Sequence, residues 1–475
     1  MLARRGIGIV HALAAVAAVG LVIGAKPSEN APPPSAGKVH MPCTLRSTAL
    51  LPIADPRGMG YTNNRKFVVD AQGVGWVAVR SKDRRGFNIC LVRIPGPWRA
   101  GMPVEQNWLE DRDGVEVTTA PQRVASIAAG ADSSIQMVWY GGTAASPDHQ
   151  VRYARFNTSG AARLAEERAP FTVPGYAAVV ANRPSANDLW QEHASLAIGP
   201  DGTAHVAWEA RDPSRLAKDG TPKPGIAYAT RTRDGRWSVN GVLGRPPYLE
   251  VDERCPSQSR PTILVDRSGV VHVLCYGSMS GVQHVLHGRI EGKKFSGWQM
   301  ISPSNGDQRH VSAALDPAGG LHVAWREGVP AHGSSSAEEV AVFYASLDRD
   351  GHWRKAVRVS PVGEDASTPS VAAGDSSVSV AWVAWAPGAR NSEGQVDNGF
   401  PADNATVEGR LEVATRWNDA ARFEAAIVVD AGAASYPCWA VSARDEGVRP
   451  PLAWTSREPG GDVKLHLGWC EMPAR

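Results

Sequence analysis

The sequence predicts an all-β protein, a seven-bladed β-propeller closed by an N-terminal strand, with six blades as the alternative count. Three observations carry that expectation. First, one hairpin is rewritten along the chain: HASLAIGPDGTAHVAW (His193 to Trp208), RPTILVDRSGVVHVLC (Arg260 to Cys275) and HVSAALDPAGGLHVAW (His310 to Trp325). In each, two apolar runs with β-branched residues flank an Asp/Gly/Pro/Ser turn. Second, another hairpin follows the first and third copies, GIAYATRTRDGRWS (Gly225 to Ser238) and VAVFYASLDRDGHWR (Val340 to Arg354). Two hairpins in series make a four-stranded meander, and a repeated meander is a propeller blade. Third, 48 Gly, 35 Pro and 16 Trp occur without sustained helical periodicity beyond the N-terminus, which is all-β composition.

The N-terminus reads as a targeting segment. Ala3-Arg4-Arg5 supplies a positive start, Ile7 to Gly24 an apolar run, and Ile23-Gly24-Ala25 a small-residue cleavage site. Residues 1–25 are therefore expected to be a signal peptide, 26–42 a Pro-rich linker and 43–475 the propeller. An uncleaved membrane anchor is the alternative reading of the apolar run. Either way the body is secreted or periplasmic. Fifty basic residues stand against 48 acidic ones, and losing Arg4 and Arg5 leaves the two equal. A neutral body gives no electrostatic reason to expect nucleic acid or an anionic membrane as partner.

Along the chain, the first blade has strands at Lys66–Asp70, Val74–Arg80 and Asn88–Ile94. The second uses Val124–Ala129, Ile135–Tyr140 and Val151–Phe156. The third to fifth hold the copies quoted above, and the sixth runs through Ser370 to Trp385 and Arg410 to Trp417. The seventh uses Ala440 to Trp454 and Asp462 to Cys470, then lacks a strand. Cys43 to Ile53 is strand-like and unclaimed, so it completes the last blade and removes both open edges. That closure makes Cys43 and Cys470 neighbours, an expected disulfide. Cys255 and Cys275, placed at one end of the fourth blade, form the second expected pair; Cys90 and Cys438 read as buried thiols. Chain-length excess falls at Ala210–Pro224, Gly328–Glu339, Pro387–Glu408 and Ala169–Trp190, all on the upper face, where insertions mark a binding face.

Upper-rim residues are the candidate ligand contacts. Strand starts give Arg123, Glu192, His193, Arg260, Arg309 and His310; strand ends give Tyr140, Glu209, Arg211, Tyr276, Arg326 and Glu327. Converging arginines suit a carboxylate, sulfate or phosphate, which the guanidinium fork binds bidentately. Tyr276 beside Glu209 or Glu327 offers a nucleophile and base, or an acid/base pair. The bland alternative is that these charges are solvated or paired among themselves. His205, His272 and His322 recur at one blade position; spread one per blade, they read as interblade hydrogen bonders rather than metal ligands. Trp139, Trp208, Trp325, Trp382 and Trp454 read as wedges between blades. The sequence holds no GxxxxGK[ST], GxSxG, HExxH or CxxC, so no cofactor or metal is expected.

Ser346-Leu-Asp-Arg-Asp-Gly-His-Trp353 resembles the Asp-box, S-x-D-x-G-x-T-W, of sialidase-type (BNR-repeat) propellers. Its Gly comes one place late, and His352 stands where the box has Thr. Thr232-Arg-Asp-Gly-Arg-Trp237 is a weaker copy, and both follow a YAS or YAT strand as in that family. The resemblance covers about residues 60 to 470 in organisation. It implies an extracytoplasmic propeller, often acting on sialosides, whose enzymes hold the substrate carboxylate with three arginines beside a Tyr–Glu nucleophile pair and an Asp acid/base. Carried over, Arg260, Arg309 and Arg326 are the clamps and Tyr276 with Glu209 the reactive pair; no Asp is assigned. Arg93-Ile94-Pro95 matches a family motif in letters but falls on a third strand, away from the funnel. The leading functional expectation is a module binding a glycan or other anionic ligand. A sialidase-type glycoside hydrolase is the second and a protein-docking scaffold the third.

Overall fold

The computed structural model describes residues 44–54, 58–60, 65–83, 86–108, 123–143, 146–157, 166–167, 191–218, 220, 222–239, 249, 257–279, 281–330, 338–348, 350–385, 409–418, 420–442 and 450–471. Among them every regular element is a β-strand. Antiparallel pairing produces successive meanders. The first comprises Phe67–Val69, Gly75–Asp83, Gly86–Ile94 and Glu105–Trp108, and the second Arg123–Ala129, Ser134–Thr143, Ser146–Asn157 and Glu166–Glu167. The third comprises Gln191–Ile198, Ala204–Leu216, Pro222–Arg231 and Trp237–Val239. In the fourth, Ser257–Val265, Val271–Met279 and Val282–Glu291 are followed by two short strands on the last. The fifth has Gln308–Leu315, Leu321–Pro330, Glu338–Leu347 and Val357–Arg358.

The remaining strands form one continuous sheet, because a single strand serves two meanders. Ile427–Trp439 pairs by its first part with Gly409–Trp417, beyond Asp365–Ala373 and Ser377–Trp385. Its last part pairs with Leu452–Arg457, which pairs with Val463–Glu471. Thr44–Ile53 then pairs antiparallel with Val463–Glu471, setting Leu45 opposite Cys470. The following link also returns to the start: Val441–Ser442 pairs parallel with Phe67–Val69.

Period-two alternation explains where the core lies. Both faces of each meander are apolar, so each packs against the meander before and the meander after. Seven buried clusters result. Val138 and Tyr153 meet Leu196 and Val206 between the second and third meanders. Leu465, Leu467 and Cys438 meet Phe67, Val77 and Val92 between the last and the first. Trp139, Trp208, Trp325, Trp382 and Trp454 occupy one column at the ends of the second strands and lie buried in five of these seams.

That column corrects one cysteine expectation. Cys275 stands in the Trp column of the fourth meander, buried with Val273 and Leu286, and it is not disulfide-bonded. Register sets Ser257 opposite Ser278, so the approach to this strand lies level with residues past Cys275 rather than beside it. The Cys255–Cys275 pair is therefore replaced by a buried thiol; Cys255 lies outside the described residues. Cys470 is disulfide-bonded, while Cys43 also lies outside them. Of the expected insertions, 210–224 is largely strand: Arg211 pairs with Pro224 and Asp212 with Lys223, extending a hairpin. Segments 387–408 and 169–190 fall outside the described residues.

A belt of side-chain hydroxyls ties the inner strands together. The six sequences VASIAA, HASLAI, RPTILV, HVSAAL, TPSVAA and YPCWAV align on a Ser, Thr or Cys in third place. Ser126 Oγ accepts the Leu196 N–H at 3.2 Å, and Ser195 Oγ that of Ile263 at 3.2 Å. Ser312 accepts from Val371 and Ser370 from Trp439, each at 3.1 Å. Thr262 instead donates to the Val311 carbonyl at 3.5 Å. In the last meander the thiol of Cys438 takes the role, accepting the Lys66 N–H at 3.4 Å.

Two outcomes follow. Ser312→Val strands a buried N–H and is expected to cost about 1–3 kcal/mol in urea unfolding, whereas Ser312→Cys, copying Cys438, costs less. Peptide mapping without reduction is expected to recover Cys470 linked to Cys43, with Cys275 alkylated only after unfolding.

Candidate functional site

In the third to seventh meanders the inner strand reaches the upper rim through a bulge. Register slips between Glu192 and Ser195, Ser259 and Thr262, Arg309 and Ser312, Ser367 and Ser370, and Ser435 and Cys438. The extra residue is left-handed every time: His193 (φ 53°), Arg260 (52°), His310 (56°), Thr368 (50°) and Tyr436 (50°). None is Gly, and a left-handed L-residue costs about 1–2 kcal/mol. Bulges re-aim side chains and cluster beside functional sites.

The residue before the bulge and its cross-strand partner form a second repeated column. Successive meanders carry Arg123/Tyr140, Glu192/Glu209, Ser259/Tyr276, Arg309/Arg326, Ser367/Val383 and Ser435/Thr455. Charge is thus confined to the second through fifth meanders; the sixth and seventh present small neutral residues. Two carboxylates face each other in the third and two guanidiniums in the fifth, arrangements that like-charge repulsion disfavours unless neighbours compensate.

The neighbours do compensate. Glu209 Oε2 accepts the backbone N–H of Arg260 at 3.2 Å, and Glu192 Oε2 lies 3.3 Å from His193 Nε2. Asp307 bridges the arginine pair, 2.6 Å from Arg309 Nε and 3.7 Å from Arg326 Nη2. Tyr276 sits between these poles, buried, with the Arg260 guanidinium 5.9 Å from its ring centre. Burial pushes its phenol up to about 12, against the opposing pull of Arg260, Arg309 and Arg326 and with a push from Glu209. The structure therefore brings together Tyr276, Glu209, Arg260, Arg309 and Arg326. No hydrogen bond joins the Tyr276 hydroxyl to Glu209 among the described residues.

Other candidates separate from this group. His193 is buried against the edge of Tyr140, ring centres 5.6 Å apart, and His310 is a buried bulge residue. Arg211 lies two residues beyond Glu209, on the extended hairpin. Arg123 begins its strand opposite Tyr140, its side chain outside the described set. Glu327 points away from this group. Alternation turns it to the Trp325 side, where it is 5 % exposed and accepts from Trp325 Nε1 (2.9 Å), Gln308 Nε2 (3.0 Å) and Ser304. Arg93 pairs with Glu105 at 2.7 Å on the outer strands, away from the rim. Sequence reasoning missed Asp307, Thr368 and Tyr436; the aligned third-place Ser/Thr/Cys would have flagged the last two.

The fold and this rim define an all-β protein of propeller type. No protein-family model matches the sequence, and no curated protein matches it. Among solved structures, the chain is similar to a Penicillium chrysogenum alpha-L-arabinanase complexed with arabinobiose (12% identity, 73% of this chain and 92% of that chain, TM-score 0.43). It is similar to the phage phi92 endosialidase at 10% identity, over 92% of this chain and 70% of that chain, TM-score 0.45. A third is the GH93 alpha-L-arabinofuranosidase of Fusarium graminearum with arabinobiose (13%, 72% and 91%, TM-score 0.40).

On the lower half of the seams the recurring histidines bond within their own meander, not across it as the sequence suggested. Diagonal cross-strand geometry is the reason: His205 lies opposite Thr230, two residues from Tyr228. His205 Nδ1 is 2.7 Å from Tyr228 Oη, and His322 Nδ1 is 2.6 Å from Tyr344 Oη, with Asp316 at 3.1 Å from its Nε2. His272 Nδ1 meets His287 Nε2 at 3.1 Å. In the second meander Gln136 replaces His and accepts from Tyr153 at 2.7 Å.

Burial holds His205 at about 4 and His287 at about 3, and lowers His272. These groups stay neutral when folded and protonate more readily when unfolded, near pH 6.5. Their contribution is whole above pH 6.5 and falls as pH drops toward 4. His205→Gln, copying Gln136, is expected to flatten the loss of stability between pH 6.5 and 4 by up to about 3 kcal/mol, measured by urea unfolding at each pH.

Proposed function

We propose that the upper rim of the third to fifth meanders binds an anionic glycan, with Arg260 and Arg309 facing its acid group and Tyr276 donating a hydrogen bond. The carrying observation is the gathering of three arginines around a buried Tyr, set against neutral residues at equivalent places in the sixth and seventh meanders. A phenol raised to about 12 is neutral at working pH, which suits a donor and opposes an activated nucleophile. Asp307 holds Arg309 and Arg326 in position for this role. The site sits on a seven-bladed ring closed by Thr44–Ile53, a reading supported by the seven seams and the first-to-last pairing. Residues 1–25 direct export, placing the site outside the cytoplasm.

Sialidase-type hydrolysis is the second reading, supported by the charge of Glu209 acting on Tyr276. It requires a Tyr–Glu hydrogen bond to form on substrate binding. The experiment is a panel of acidic and neutral oligosaccharides with titration calorimetry, beside fluorophore release from a sialoside. Binding of acidic glycans only, weakened at least tenfold by Arg309→Ala, is the expected result. Turnover that Tyr276→Phe abolishes selects the hydrolase, and no binding by any acidic glycan ends the proposal.

A further inference from the structure

The seam between the third and fourth meanders contains a cavity where its sister seams are filled. Between the second and third, Tyr153 is covered from the following meander twice over. Arg231 lies 5.0 Å above its ring, and Trp237 meets it edge-on at 5.4 Å. Between the fifth and sixth, Tyr344 is covered in the same way. Arg416 lies 4.9 Å above the ring and donates from Nη2 to the phenol at 3.0 Å, while Phe423 is edge-on at 5.2 Å. Tyr228 is the third member of this column, with the same stacked histidine behind it: ring centres are 6.1 Å apart for His205–Tyr228 and 6.0 Å for His322–Tyr344.

Among the described residues Tyr228, 5 % exposed, has neither a guanidinium over its ring nor an aromatic edge against it from the fourth meander. Register puts Arg231 opposite Ala204 and Arg416 opposite Val378, and the corresponding residue of the fourth meander, opposite Val271, is Ile290. At this seam lies a cavity of about 520 Å³, walled by Tyr228, His205, Asp201, Ser238, Ile290 and Lys293 among others.

We propose that this cavity binds a guanidino acid, whose guanidinium takes over Tyr228 the place that Arg231 and Arg416 take in the sister seams. The phenol oxygen lies 2.7 Å from His205 Nδ1; in the tautomer with the proton on Nε2, Nδ1 accepts the phenol proton and leaves the oxygen to accept from the ligand, as Tyr344 accepts from Arg416. Cation–π attraction adds to the bond. Asp201, its carboxyl lowered by the Thr203 N–H and hydroxyl, contributes a negative wall. Lys293 is exposed and is the one cation among the described residues of the wall, so it favours a ligand with a carboxylate a few bonds from its guanidinium over a simple cation.

The test is titration of the full chain with free L-arginine, its amide, citrulline as the neutral isostere, and a capped peptide with one internal arginine. Arginine is expected to bind, citrulline not, and the amide and peptide more weakly than arginine. Ile290→Arg, which supplies the missing guanidinium from the chain itself, is expected to abolish binding, and Tyr228→Leu to weaken it about tenfold. Thermal unfolding checks that each variant is folded, and Tyr228→Leu carries the test alone if Ile290→Arg is not. Equal binding of citrulline, binding that survives both substitutions, or no binding by arginine overturns the proposal. Tighter binding of the peptide than of arginine overturns the role given to Lys293.

Discussion

A short Ser, Thr or Cys side chain on the inner strands of the second to seventh meanders, hydrogen-bonded to the backbone of the next, is the contact on which the rest of this molecule depends. Hydrophobic seams alone are non-directional and would tolerate sliding of one sheet past another. The bonds from Ser126, Ser195, Ser312 and Ser370 to amides of the following strand remove that freedom. They fix the bulge two residues earlier at a constant height. The left-handed residues at His193, Arg260, His310, Thr368 and Tyr436 are strained one by one, and the over-determined surroundings hold them there. Because the heights agree, columns of side chains from distant parts of the chain meet.

Those columns are where function diverges from architecture. The Trp column fills the same wedge in five of the seven seams, with Cys275 in its place in the fourth meander. The pre-bulge column varies from Glu/Glu to Arg/Arg to Ser/Thr, which packing alone does not require. The same logic distinguishes the lower half of the third and fourth meanders, where Ile290 replaces an arginine and leaves space. In a repeat protein, the departures from the repeat are the informative positions.

Strand placement was legible in the sequence because hairpin turns and apolar alternation are local. Expected and observed second strands agree closely in the second meander, Ile135–Tyr140 against Ser134–Thr143. What alternation decides one residue at a time was read less well. Glu327 was grouped with Arg326, yet neighbours on a strand point opposite ways, and the Glu turned inward to Trp325. Cys275 was paired by its position along the blade, although it stands where other repeats carry Trp. The histidines were sent across the seam because a diagonal partner on the next strand leaves no trace in spacing. Asp307 lies before its strand in a turn, and only the folded register brings it between Arg309 and Arg326.

The pairing of Thr44–Ile53 with Val463–Glu471 joins segments more than four hundred residues apart. The earlier strand must therefore wait, its amides unsatisfied, until the later one has emerged. Loop closure on that scale makes this pairing a late and slow event of biogenesis. During the interval both unmatched edges invite the same strand from a second molecule. Interlocked dimers, each lending Thr44–Ile53 to the other, are the characteristic misassembly this topology exposes when chains are crowded before that pairing forms.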